Sequence, residues 1–150
     1  MKDPYEKSLV LPDYRDLVGI VLHQADYYAY KKGNEAVAKY GVTMYQAVSL
    51  IYISENEDRR SVNQRNIERY TGLSNPGVSK LISALVEMGY IERRKDERDA
   101  RNYSLHTTPE GKEAAAKLHL AIAISDREIC SGITQEELLT LVSLLKKLRF

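Results

Sequence analysis

The stretch whose reading decides the fold runs from Ser74 to Gly111: SNPGVSKLISALVEMGYIERRKDERDARNYSLHTTPEG. Its apolar period changes twice. Val78, Leu81, Ile82, Leu85 and Val86 recur at helical spacing and stop at Gly89. Ser74 is the expected N-cap, and Pro76 is tolerated because first-turn N–H groups have no intrahelical partner. Beyond Gly89 the pattern alternates: Tyr90-Ile91-Glu92-Arg93-Arg94 reads as a strand and Lys95 to Arg101 as a charged tip. On the returning strand Tyr103, Leu105 and Thr107 alternate with Asn102, Ser104 and His106. Thr108 and Pro109 then open a long helix as N-cap and first helical residue. The order is helix, hairpin, helix.

Working outward, Ser61 and Gln64 have the spacing of a capping box and predict a short helix through Val62, Ile67 and Tyr70, broken by Gly72. Two short helices joined by a three-to-four-residue turn containing glycine fit a helix-turn-helix. In that motif the second helix enters the major groove and its first residues meet base edges. Here they are Ser74, Asn75, Gly77, Ser79 and Lys80, with the apolar positions on the opposite face. Asn and Ser read bases, Lys80 reaches phosphate or guanine, and the helix N-terminus favours phosphate. Gly77 removes bulk where backbone approaches DNA. Ser61, Asn63 and Gln64, opening the preceding helix, join the candidate DNA contacts. On the hairpin the candidates are Arg94, Lys95, Arg98 and Arg101, with Asp99 holding Arg101 extended through a charge-assisted hydrogen bond. An arginine at such a tip gains from the negative potential of a narrow minor groove. Each feature also has a plainer reading: N-capped helices commonly begin with small polar residues, and a charged hairpin tip is often just solvated surface.

Further out lie helices. Asp13 is positioned to cap one that carries Leu17, Val18, Val21, Leu22, Ala25, Tyr28 and Ala29, with Gly41 as its stop. Thr43 and Gln46 form a capping box for the next. After the helix opened by Thr108, which ends near Gly132, Thr134 and Glu137 cap a last one. Ile122, Ile124, Ile129, Ile133, Leu138, Leu139, Leu141, Leu144 and Leu145 spread around most of the helix circumference, more apolar surface than one copy covers. This predicts a homodimer whose two recognition helices stand one DNA turn apart, roughly 34 Å. The segment up to Pro12 is expected to be a loose or partner-wrapped arm.

At this point the residues resemble a known family. Leu85-Val86-Glu87-Met88-Gly89-Tyr90-Ile91-Glu92-Arg93-Arg94 looks like the passage from recognition helix into wing in MarR-family regulators. Asp96-Glu97-Arg98-Asp99-Ala100-Arg101, followed by Thr108-Pro109-Glu110-Gly111, is similar to that family's wing signature and the opening of its next helix. The resemblance implies a mainly α (α+β) winged helix-turn-helix with a two-stranded wing and flanking dimerisation helices. It also implies a triangular dimer, Arg101 in the minor groove, Ser74 to Lys80 in the major groove, and a small aromatic or anionic effector bound near the dimer helices. One departure is Thr107, where the family usually has leucine, and which is expected to loosen the strand. The expected organisation is one domain over 1–150, with a DNA-binding lobe at 43–107 and helical dimerisation regions at 13–41 and 108–150.

Composition agrees with a globular protein: of 150 residues, 43% are hydrophobic and 29% charged. Net charge is only +1, but nine cations face six anions between Arg60 and Arg101. Apolar runs are too short for a membrane span, the N-terminus lacks a secretory pattern, and the lone Cys130 fits a reducing compartment, so the expected location is the cytoplasm. Among 11 tyrosines, Tyr27, Tyr30, Tyr45 and Tyr52, with His23, are candidates for an effector pocket; core packing is the competing reading. Cys130 reads as an inert packing residue, and His23, His106 and His119 have no metal-site spacing. No phosphate loop, nucleophile elbow or paired catalytic residues argue for an enzyme, and no cofactor is expected. The partners expected are double-stranded DNA, a second copy and a small molecule. The rival is a winged helix serving as a protein-interaction module, which would not need Asp99 and Arg101.

Overall fold

The computed structural model describes residues 13–95 and 103–148. Asp13 does cap a helix, but only a single 3-10 turn, Tyr14–Asp16, with its carboxylate accepting from the Arg15 N–H. The first long helix, α1 (Val18–Val37), starts after Leu17 without a side-chain cap. It tightens into a 3-10 turn to Tyr40 and stops at Gly41, whose φ of 71° is left-handed.

Helix α2 (Met44–Asn56) opens with the reciprocal capping box between Thr43 and Gln46. The expected box at Ser61 and Gln64 is not the one formed. Asn63 caps α3 (Gln64–Thr71), and Asn66 returns the bond to the Asn63 N–H. Val62 therefore lies before the helix, and the reason is tertiary. Its side chain is fully buried, and its carbonyl accepts from Leu105 N–H at 2.7 Å. A residue engaged by the wing cannot also start a helix.

Gly72 ends α3 in the left-handed conformation and α4 (Asn75–Glu87) follows, with Ser74 in the N-cap conformation but making no side-chain capping bond. Val78, Leu81, Ile82 and Leu85 are its buried stripe. Its end is closed at Gly89 (φ 71°), where Tyr90 N–H reaches back to the Leu85 carbonyl at 3.0 Å. Strands β1 (Ile91–Lys95) and β2 (Tyr103–Thr107) pair antiparallel, Ile91 opposite Thr107 and Lys95 opposite Tyr103.

The expected alternation on β2 holds only in part: Ser104 is buried beside Leu105, and Tyr103 is exposed. Ser104 is accommodated because its hydroxyl has partners, the Arg94 carbonyl at 3.3 Å and His106 Nε2 at 3.0 Å. Thr107 is likewise buried, and it ties the strand down instead of loosening it. Its N–H donates to the Glu57 carboxylate at 2.8 Å, and its hydroxyl donates to the same group.

Helix α5 (Pro109–Ile129) is capped by Thr108 and packs along α1 and α2. Gly111 is required there by space: a Cβ would lie 1.9 Å from the Tyr90 carbonyl oxygen. Helix α6 (Gln135–Leu145) has the expected Thr134/Glu137 capping box and no buried residue. The core is one cluster centred on α2, α4 and the wing base, including Leu50, Ile53, Ile67, Val78, Leu85 and Ile91, with Leu118 added from α5.

Candidate nucleic-acid interface and effector cleft

The first turn of α4 is an exposed polar surface of the helix-turn-helix. Ser74, Asn75, Ser79 and Lys80 are exposed, and Gly77 is half-buried. A Cβ at Gly77 would meet Ser74 Oγ at 3.4 Å, an ordinary contact, so this glycine is not enforced by packing within the chain. Two predicted contacts are tied together by a residue that sequence reading missed. Glu68 Oε1 accepts from Asn75 Nδ2 at 2.7 Å and from Gln64 Nε2 at 3.2 Å. Gln64 also lies 3.4 Å from the Asn75 carbonyl. Glu68 thus fixes both amides at the junction of the two helices, their NH2 groups facing the carboxylate. Asn63 is engaged in its capping box and is half-buried, while Ser61 is exposed.

On the wing, β1 presents Arg93, Arg94 and Lys95 in succession, all exposed. Arg94 Nε donates to Glu92 at 2.7 Å, and Arg93 reaches Ser83 Oγ of α4 at 3.3 Å. Arg94 is thus partly neutralised, whereas Lys95 carries its charge to the end of the strand. Arg98, Asp99 and Arg101 lie outside the described residues, as does the arm before Pro12.

The base of the wing is held by Glu57, another residue without a local signature. Its side chain is only 5% exposed. It accepts both Thr107 bonds, lies 3.3 Å from Lys112 Nζ of α5, and faces His106 Nδ1 at 3.5 Å. Burial raises its pKa, but the bonds from Thr107 and the Lys112 charge outweigh this and hold it below the usual glutamate value. Glu57 therefore joins the end of α2, the end of β2 and the start of α5 through one ionised group.

A second site lies between α1, α2 and α5, a cleft of about 370 Å³. Tyr30 and Tyr45 line it, their ring centroids 4.9 Å apart. The other candidates do not line it. Tyr52 stacks on Tyr70 at 4.4 Å, and its hydroxyl and ring engage Arg60. Tyr27 is 68% exposed, and His23 is exposed on the same helix. Sequence reading missed Asp26, Tyr70, Thr71, Ser125 and Asp126, which complete the polar lining. Helical spacing alone does not tell which of several tyrosines on α1 and α2 turns toward α5. Among the described residues no group of three or more His, Cys, Asp or Glu is placed to hold a metal ion, and no helix is long and apolar enough to cross a membrane.

A recognition helix with an exposed polar first turn, a two-stranded wing hydrogen-bonded to the segment before α3, and flanking helices define a winged helix-turn-helix protein. Comparison with known proteins narrows this class. A sequence model of the MarR family matches residues 40–102, the whole lobe up to the second wing strand. A transcriptional regulatory protein for the hcr operon of Thauera aromatica is 35% identical over 71 residues, covering 47% of this chain and 43% of that protein. The match thus spans less than half the length of that relative. A MarR-family regulator from Rhodococcus sp. RHA1 superposes with a TM-score of 0.82 at 20% identity, over 91% of this chain and 96% of that one. CouR from Rhodococcus jostii RHA1, solved with p-coumaroyl-CoA, gives 0.78 at 20% identity, over 91% and 94%. At these identities the structural likeness concerns the fold. The central lobe thus matches the sequence model of the MarR family, and the chain shares the fold of MarR-family transcriptional regulators.

Proposed function

We propose that two copies of this chain bind a pseudo-palindromic operator in double-stranded DNA, repress transcription from it, and are released by a small aromatic effector. The observation that carries this reading is the first turn of α4, where Ser74, Asn75, Ser79 and Lys80 face solvent while Val78, Leu81, Ile82 and Leu85 hold the helix on the core. Small polar side chains on a well-anchored helix N-terminus suit entry into a major groove. The consecutive cations of β1 supply sequence-independent attraction to phosphate beside it. Arg101, supported by Asp99, is assigned to the minor groove.

Dimerisation is supported by what the terminal helices leave in water: Leu139 at 63%, Leu144 at 54% and Ile124 at 52% exposed. A two-fold dimer covers such surface and sets two recognition helices side by side. Occupation of promoter DNA by a compact dimer excludes other proteins, hence repression. The tyrosine-lined cleft supports the effector, as does the aromatic thioester bound by a protein of the same fold.

The test is selection from random duplex DNA by the purified protein at physiological salt. A two-fold symmetric motif with half-sites about one helical turn apart is expected. Absence of any enriched sequence from the ligand-free protein overturns the operator reading in favour of a protein-interaction module.

A further inference from the structure

The cleft between α1, α2 and α5 has a charge character of its own. Asp26 comes from α1 and Asp126 from α5, on opposing helices. Neither carboxylate makes an ion pair or side-chain hydrogen bond with another described residue. No Lys, Arg or His is among the lining residues. The neighbouring cleft behind Ser125 differs, since its Glu35 is paired with Lys32 at 3.2 Å. Tyr30, Tyr45 and Tyr70 line the same cleft. Ser125, 5% exposed, adds a hydroxyl with no hydrogen-bond partner among the described residues. A buried hydroxyl left unpaired in a polar cleft is a group waiting for one.

We infer that this cleft selects a small aromatic cation, an arylalkylamine, over an aromatic acid; the inference rests on the cleft being the effector site. The volume suits one such molecule, since small-molecule sites run from roughly 300 to 1,000 Å³. Tyrosine faces attract an ammonium group through the ring quadrupole as well as stacking on an aromatic ring. Two carboxylates without countercharge add Coulomb attraction for that ammonium and repel a carboxylate from the same position. Ser125 Oγ completes the site as hydrogen-bond acceptor for a ligand N–H or O–H.

Three phenols of matched size and different charge test this by calorimetric titration of the 150-residue chain: tyramine, 4-ethylphenol and 4-hydroxyphenylacetate. Tyramine is expected to bind about tenfold or more tightly than the acid, with the neutral phenol between them. The D26N/D126N double variant, altered only at exposed positions, is expected to bring amine and acid within about twofold while retaining 4-ethylphenol. Equal or tighter binding of the acid, or an amine preference that survives the double variant, overturns the inference. If the neutral phenol or the acid binds and releases operator DNA without any amine preference, the effector cleft stands and the charge assignment falls. If none of the three binds, both fall.

Discussion

Helix α4 carries five leucine, valine and isoleucine residues in 13 positions and α6 six in 11, yet they treat them in opposite ways. In α4, Val78 and Leu85 are fully buried, and Leu81 and Ile82 nearly so. In α6 no residue is buried, and Leu139, Leu141, Val142 and Leu144 are all at least 39% exposed. A leucine moved from water into a core gains about 1.5–3 kcal/mol. The first helix has collected that gain within its own chain. The second has not, and neither have Val18 and Val21 at the far end of the sequence. The lobe proposed to meet DNA is finished by itself, whereas the terminal helices leave apolar side chains in water, as the proposed dimer requires.

The sharpest way to break this contrast is to remove the unfinished half. Truncation before Thr134, or the pair L141E/L144E, is expected to give a monomer in sedimentation and to lower operator affinity by about 10²-fold or more, because two linked half-sites become one. A truncated chain still sedimenting as a dimer refutes the assignment of α6. The finished half is probed by G111A, which forces a methyl group against the Tyr90 carbonyl. It should cost roughly 3 kcal/mol in denaturant unfolding, at the upper end for overpacking. An unchanged midpoint means the junction of wing and α5 gives way more easily than its spacing indicates.

Next in size is R101A, which is expected to weaken operator binding by about 1–3 kcal/mol with fold and dimer intact. Equal affinity in a gel-shift titration removes Arg101 from the interface. E57Q leaves the shape and takes away the charge at the wing base. Because the native carboxyl is held below its ordinary value of 4.5, Glu57 stabilises the fold fully above that pH. Its contribution is lost as pH falls through the lowered native value. The variant should lose about 1 kcal/mol near neutrality and show a shallower decline of stability in acid. Parallel curves for the two proteins contradict this role. The smallest change expected is from K80A, a decrease of roughly one unit in the slope of log affinity against log salt if it touches one phosphate. An identical slope argues that Lys80 contacts a base or nothing.

How far the sequence could be read follows the range of the interactions. The Thr43/Gln46 and Thr134/Glu137 boxes span three residues, and both form as expected. The recognition helix and the strands of the wing are likewise legible, since a change of period needs no partner. The Ser61/Gln64 spacing misled because the overlapping Asn63/Asn66 box competes with it, and the contact that decides between them joins Val62 to Leu105. Glu57 and Thr107 are 50 residues apart, so neither the clamp nor the reason for a threonine there has a local pattern. In the set proposed to face DNA, exposure of the first turn of α4 is foreseeable from its apolar stripe, but the bond of Asn75 to Glu68 is not. The tyrosines show the same limit. Periodicity places them on two helices, and only the packing of α5 selects Tyr30 and Tyr45.

The contact of Gly111 with the Tyr90 carbonyl has a mechanical consequence. Helix α5 is a single rod with the wing fastened at one end, through Gly111 and Thr108, and Ser125 and Asp126 of the cleft at the other. From Gly111 to Ser125 the rod measures about 21 Å, so pivoting it by about 5° at the cleft sweeps its wing end through roughly 1.8 Å. With no room for even a methyl group at the fastening, little of that sweep is lost as play. On the proposed function, the glycine would act as the stiff coupling of a lever, carrying a small displacement beside the effector cleft to the wing proposed to meet DNA.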